Sequence, residues 1–157
     1  NYNLIKKISK LKNIHILIST GMASMKKIEK AVSILKKNKN KNFTLLHSVS
    51  IYPCDEYKLN LKFISILKNK FKCKVGYSGH ESKITPSLLA VAAGAKVVER
   101  HITLNKKMWG TDQSASLNPS EMRKLVNGIR DVSNIMGNGE KKYLKEEMSK
   151  LKDQKYW

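Results

Sequence analysis

Short runs of β-branched and aliphatic residues alternate along this chain with longer stretches whose apolar positions recur every three or four residues. Leu4, Ile5, Ile8 and Leu11 have the longer spacing and predict the tail of a helix over residues 3–12. Ile14 to Ile18 is a compact run that predicts a buried strand, ending at Ser19-Thr20-Gly21. Ser24 is placed to cap a second helix, whose apolar positions are Ile28, Ala31, Val32 and Leu35 and which breaks in the loop 38–42. Phe43 to His47 predicts the next strand, and Leu61, Ile64, Leu67 and Phe71 the next helix. Lys74 to Tyr77 and Lys96 to Glu99 predict two more strands, separated by a helix over about 86–93 that Gly94 closes. After a long loop, 104–118, Pro119 and Glu121 start a last helix that runs through Ile135 to Gly137.

Strand then helix, four times over, with strands short and apolar enough to be buried on both faces, predicts a parallel sheet covered by helices. No Gly-rich dinucleotide fingerprint follows the first strand, which argues against a Rossmann fold. The polar residues Ser19, Ser50, Ser78, His80 and His101 all lie just past the C-terminal ends of the strands. In a (β/α)8 barrel of the TIM type those ends form the active face. Such a barrel takes about 250 residues, so 157 residues predict a partial one: about four C-terminal βα units over residues 1–137, then a basic tail or linker over 138–157.

Composition adjusts this picture only modestly. A hydrophobic fraction of 41% argues against a disordered chain, and no apolar run is long enough to cross a membrane. Two cysteines, Cys54 and Cys73, form no CxxC pair and no disulfide framework, which favours a reducing cytoplasm. Asn1 is not an initiator Met and no leader pattern follows it, as expected of a segment inside a longer protein. The net charge of +19 raises nucleic acid as a partner, but the lysines are scattered among asparagines with no stacking aromatics between them. A solvated lysine-rich surface with a general pull on anionic substrates is the better reading.

The candidate chemistry sits on two motifs, Gly76 to Glu81 and Glu99 to Thr103. His80 and His101 are 21 residues apart, the length of one helix and its flanking strand ends, which places them on adjacent strands and one face. A single histidine there is more often structural; two at equivalent positions suit a shared divalent ion with open coordination positions. His15, at the start of a strand, reads as structural, and His47 remains ambiguous. The hydroxyls of Ser19, Ser48 or Ser50, and Ser78 recur at three consecutive strand ends, where such groups hold phosphate or carboxylate oxygens. Asp112, in Trp109-Gly110-Thr111-Asp112-Gln113, either binds sugar hydroxyls or closes an Asx turn.

Several motifs together resemble the sialic acid synthase (N-acetylneuraminate synthase) family: Ile18-Ser19-Thr20-Gly21-Met22, Leu45-Leu46-His47 through Ser50-Ile51-Tyr52-Pro53, Val75 to Glu81, Ala90 to Ala95, Glu99 to Leu104, and Gly110-Thr111-Asp112 with Ser116 to Pro119. They fall in the family's order and near its spacing over most of residues 1–140. The resemblance implies condensation of phosphoenolpyruvate with N-acetylmannosamine, its 6-phosphate or a relative, with a legionaminic or pseudaminic acid synthase as the nearest alternative. A degenerate half-barrel that binds without catalysing is the alternative from another class. The resemblance also implies that His80 and His101 hold Mn²⁺ or Mg²⁺ and act in catalysis, that Ser19, Ser50 and Ser78 bind phosphoenolpyruvate, and that Tyr52 and Asp112 bind the sugar. Gln113, where the animal-type pattern often has His, and Ser82-Lys83-Ile84, which lacks the usual Thr-Gly, depart from the pattern. The family's phosphate-binding lysines, its catalytic glutamate and the C-terminal domain that reaches across its homodimer have no counterpart in these residues. The 157 residues by themselves are therefore expected to be inactive.

Overall fold

The computed structural model describes residues 1–11 and 13–153. Four strands, β1 (Ile16–Ser19), β2 (Phe43–Ser48), β3 (Lys74–Gly79) and β4 (Val98–Arg100), form one parallel sheet in the order of the chain. Helix α1 (Tyr2–Ile8) precedes them; α2 (Met25–Lys37), α3 (Lys62–Phe71) and α4 (Thr85–Ala92) make the crossovers; α5 (Pro119–Met136) and α6 (Lys145–Asp153) follow. Consecutive neighbours joined by helices are the local rule of a β/α barrel. The sheet is a curled half of one, as the alternation predicts.

Alternation along each strand sorts the side chains into two faces. Ile16, Leu45, Val75 and Tyr77 point at the helices and pack with Ile28, Val32 and Leu35 of α2, Ile64, Leu67 and Phe71 of α3, and Ala90 of α4. The opposite, concave face carries Leu17 and Ser19, then Thr44, Leu46 and Ser48, then Gly76 and Ser78, then Glu99. Gly76 has no room for a side chain. A Cβ there would lie 2.5 Å from Leu46 Cδ2 and 2.6 Å from the Val97 carbonyl oxygen. Gly76→Ala is expected to cost about 1–3 kcal/mol, read as a lower urea midpoint with an unchanged slope.

Several boundaries differ from the sequence expectation: β1 starts at Ile16 and not Ile14, and β4 starts at Val98 and not Lys96. α1 ends at Ile8, not near residue 12, because Asn40 Nδ2 donates to the carbonyls of Ser9 and Leu11 and draws the chain out of the helix. β3 extends through Ser78 and Gly79, so both belong to the strand. The segment from Leu104 to Asn118 is not all loop. It contains a 3₁₀ turn, Gln113–Ala115, and Leu117 pairs in parallel with Ile102. Leu117 N–H donates to His101 O and Thr103 N–H to Leu117 O, both at 2.9 Å. This is a one-residue fifth strand position, and α5 springs directly from it through a capping box of Asn118 and Glu121 with Pro119 in the first turn. The span read as a basic tail contains α6.

A candidate active site at the strand C-termini

His80 is the first residue beyond β3 and His101 the first beyond β4. Their rings stand edge to face with centroids 5.4 Å apart. Tyr52, from the segment between β2 and α3, completes an aromatic triangle: 4.0 Å from His80 and 5.7 Å from His101, centroid to centroid. Its ring covers His80, which is only 5% exposed, while Tyr52 itself is 40% exposed. Burial, and then the carboxylates of Asp112 and Glu99, push the Tyr52 phenol pKa up. Asp112 Oδ2 lies 3.6 Å from His101 Nδ1, at the range of an ionic contact. The structure thus brings together four of the residues singled out from the sequence: Tyr52, His80, His101 and Asp112.

His80 is held on two sides. Its Nδ1 lies 2.7 Å from Val49 O, and its own carbonyl accepts from Cys54 N–H at 3.0 Å. Because a carbonyl only accepts, Nδ1 must carry the proton. Nε2 of the neutral ring then presents a lone pair, the arrangement of a metal-ligating histidine oriented by its other nitrogen. The two rings are close enough to be read together as a candidate ligand pair. Among the described residues no group of three or more His, Cys, Asp or Glu side chains has the geometry of a cation site. An ion held by this pair would complete its shell with water or substrate oxygens, as catalytic rather than structural sites do.

The serines occupy the same rim. Ser19 closes β1, and its Oγ accepts from Gly21 N–H at 3.5 Å. Gly21 lacks the side chain that would collide with the Ser50 hydroxyl, and the same position lies 3.5 Å from Ser48 Oγ. Ser78 is buried on the concave face and donates to Glu99 Oε1 at 2.8 Å, its register partner across β3 and β4. Ser48 Oγ, in register with Ser78, is buried without a hydrogen-bond partner. A row of hydroxyls therefore lines the strand ends from β1 to β3, beside the histidine pair.

The other two histidines are structural. His15 Nδ1 pairs with Asn42 Oδ1 at 2.5 Å and Nε2 with Thr44 Oγ1 at 2.8 Å, at the opposite end of the sheet. His47 faces the helices, packs near Phe63 and Tyr77, and its Nε2 donates to Leu59 O at 2.6 Å. Burial lowers its pKa below the ordinary 6.5, with the bond to Leu59 O opposing. As pH falls below 6.5 the unfolded chain takes up this proton and the folded chain resists, so stability falls with acidification until the lowered folded pKa is passed. The fall in Tm between pH 7.5 and pH 5.5 is expected to be smaller in His47→Gln than in wild type.

Sequence reasoning passed over the residues that brace the site. Glu81 and Arg100 form an ion pair at 2.9 Å with side chains 0% and 1% exposed. Tyr77 OH donates to Glu81 Oε2 at 2.7 Å, and burial with the neighbouring carboxylate raises the phenol pKa far above its usual value. Burial pulls the Arg100 guanidinium below its ordinary pKa, while Glu81 and Tyr77 pull it back. A usable signal was present: an acid directly after one site histidine and a base directly before the other. Glu99 could likewise have been found by aligning β3 with β4.

A curled parallel sheet with hydroxyls and paired imidazoles gathered at its C-terminal rim has the layout of barrel-enzyme sites, which are built on strand ends. The chain belongs to the NeuB family, whose family model matches residues 1–141. It is 46% identical over 153 residues to the N,N'-diacetyllegionaminic acid synthase of Campylobacter jejuni, covering 96% of this chain and 46% of that protein. It is 42% identical over 150 residues to the human N-acetylneuraminate-9-phosphate synthase, covering 95% of this chain and 41% of that one. The chain thus spans less than half the length of these curated relatives. Among solved structures, the N-acetylneuraminic acid (sialic acid) synthetase of Leptospira borgpetersenii in complex with citrate superposes with a TM-score of 0.86 at 37% identity, over 96% of this chain and 52% of that one. A truncated 3-deoxy-D-arabino-heptulosonate 7-phosphate synthase from Thermotoga maritima shares the fold, with a TM-score of 0.73 at 16% identity over 87% of this chain and 55% of that one.

Proposed function

We propose that these residues form one half of the active site of a nonulosonic (sialic-type) acid synthase, which condenses phosphoenolpyruvate with an N-acetylated amino sugar. The observation that carries the reading is the pairing of His80 and His101 at 5.4 Å on the rim, with Tyr52 and Asp112 against them. In this reading His80 and His101 hold a divalent ion, Mn²⁺ or Mg²⁺, whose chemistry when bound is Lewis-acid polarisation of a carbonyl oxygen. His80 serves through Nε2 because Val49 O fixes the proton on Nδ1. Ser19, Ser50 and Ser78 hold the anionic oxygens of phosphoenolpyruvate, and the partnerless Ser48 hydroxyl lies in the same row. Tyr52 and Asp112 orient the sugar over the imidazoles. The methylene carbon of phosphoenolpyruvate attacks the sugar aldehyde, water adds to the adjacent carbon that becomes cationic, and phosphate leaves with C–O cleavage. The lysines that bind the phosphate and the glutamate that moves protons belong to the remaining part of the barrel, and the working protein is a homodimer in the cytoplasm.

Identity to the Campylobacter legionaminic acid synthase supports a second reading of the sugar, a diacetylated precursor of legionaminic acid. Both readings are tested together by supplying the full-length protein with Mn²⁺, phosphoenolpyruvate and either N-acetylmannosamine, its 6-phosphate or the legionaminic precursor. The expected result is stoichiometric release of phosphate and appearance of a nine-carbon keto acid with one of the sugars. Phosphate release independent of any sugar would count against the proposal.

A further inference from the structure

Strand pairing between β3 and β4 stops at Gly79 and Arg100. The next residue on each strand is a site histidine, so His80 and His101 leave the sheet where its hydrogen bonds no longer set their separation. The Glu81–Arg100 pair spans that gap. Arg100 Nη1 lies 2.9 Å from Glu81 Oε1, 3.0 Å from Lys83 O and 3.0 Å from Ser87 Oγ, and Nη2 donates to Glu81 O. One side chain, on the residue before His101, thus grips the carboxylate and two carbonyls of the turn after His80. Tyr77 holds the other carboxylate oxygen from the strand below. Gly79 belongs to the same device, since a Cβ there would lie 2.8 and 2.9 Å from the two carboxylate oxygens and 2.7 Å from Tyr77 Cε1.

Stability does not account for this arrangement. A buried ion pair loses the hydration of both charges, and apolar side chains of similar volume often serve as well or better. Arg100 Nε is itself buried without a partner. What the pair supplies, and apolar packing does not, is a set of directional bonds that admits one geometry. We infer that Glu81 and Arg100 are positioning residues that set the separation and orientation of the two imidazoles. The inference deepens the proposed metal site and rests on that reading for one of its two tests.

The variants are Glu81→Leu/Arg100→Met, which keeps apolar volume in place of the pair, and Arg100→Lys, which keeps the charge but offers one ammonium where the guanidinium meets several acceptors. Arg100→Lys carries the test should the double variant fail to fold. Each is made in the full-length protein and read by Mn²⁺ titration calorimetry and, without metal, by imidazole ¹⁵N–¹H correlation spectra. The expected outcome is a cooperatively melting protein whose Mn²⁺ Kd rises by about 10–100-fold and whose His80 Nδ1–H signal is lost or averaged between tautomers. A folded variant with wild-type Mn²⁺ affinity and a wild-type imidazole spectrum overturns the inference. Absence of Mn²⁺ binding in the wild type overturns the metal reading instead, and the imidazole spectra then decide the positioning role without it.

Discussion

Arg100→Ala is expected to lower the free energy of unfolding by about 3–5 kcal/mol. Truncation removes one member of the pair and leaves the other, Glu81, fully buried with its charge uncompensated. The Tyr77 hydroxyl and Ser87 Oγ remain beside the carboxylate, at 2.7 and 3.4 Å, but two neutral donors do not replace a guanidinium. The carbonyls of Glu81 and Lys83 lose their donor as well. For a chain of this size the shift in Tm is about 10–15 °C, measurable by calorimetry at neutral pH. Glu81→Ala is expected to match it, since it strands the guanidinium in the same enclosure. A loss below about 1 kcal/mol would show that the pair is solvated in solution.

His101→Ala and His80→Ala are each expected to reduce synthesis by about 10²–10³-fold in the full-length protein. The two substitutions should part company in stability. His101 has a side chain 36% exposed and touches Asp112 only at 3.6 Å, so its loss leaves the fold nearly untouched. His80 is buried, donates to Val49 O and lies under the Tyr52 ring. Its removal orphans a carbonyl and opens a gap, at about 1–3 kcal/mol. Paired measurement of kcat/KM and urea midpoint therefore separates a shared chemical role from unequal structural ones.

The hydrophobic periods carried most of the architecture. Ile16 to Ile18, Phe43 to His47 and the helical spacings of α2, α3 and α5 mark elements that bury a face, and burial is what those periods report. They could not report the end of α1, which depends on Asn40 reaching back from a distant loop. Nor could they report the strand position at Leu117, because a single bridging residue makes no run. Of the site, Tyr52, His80, His101 and Asp112 were found because each lies past a strand end or in a motif. Glu81 and Arg100 were missed because charged side chains are ordinarily assigned to solvent. Their burial is a tertiary fact, created when β3 and β4 pair in register.

In the proposed site His80 and His101 ligate one divalent ion. That ligation is tested most directly by pulsed electron paramagnetic resonance of the full-length protein loaded with one equivalent of Mn²⁺, reading ¹⁴N couplings of directly bound imidazole. Couplings from two imidazoles, falling to one in either His→Ala variant and to none in the double variant, are the predicted result. A Mn²⁺ spectrum with no imidazole coupling, unchanged by either substitution, would contradict it.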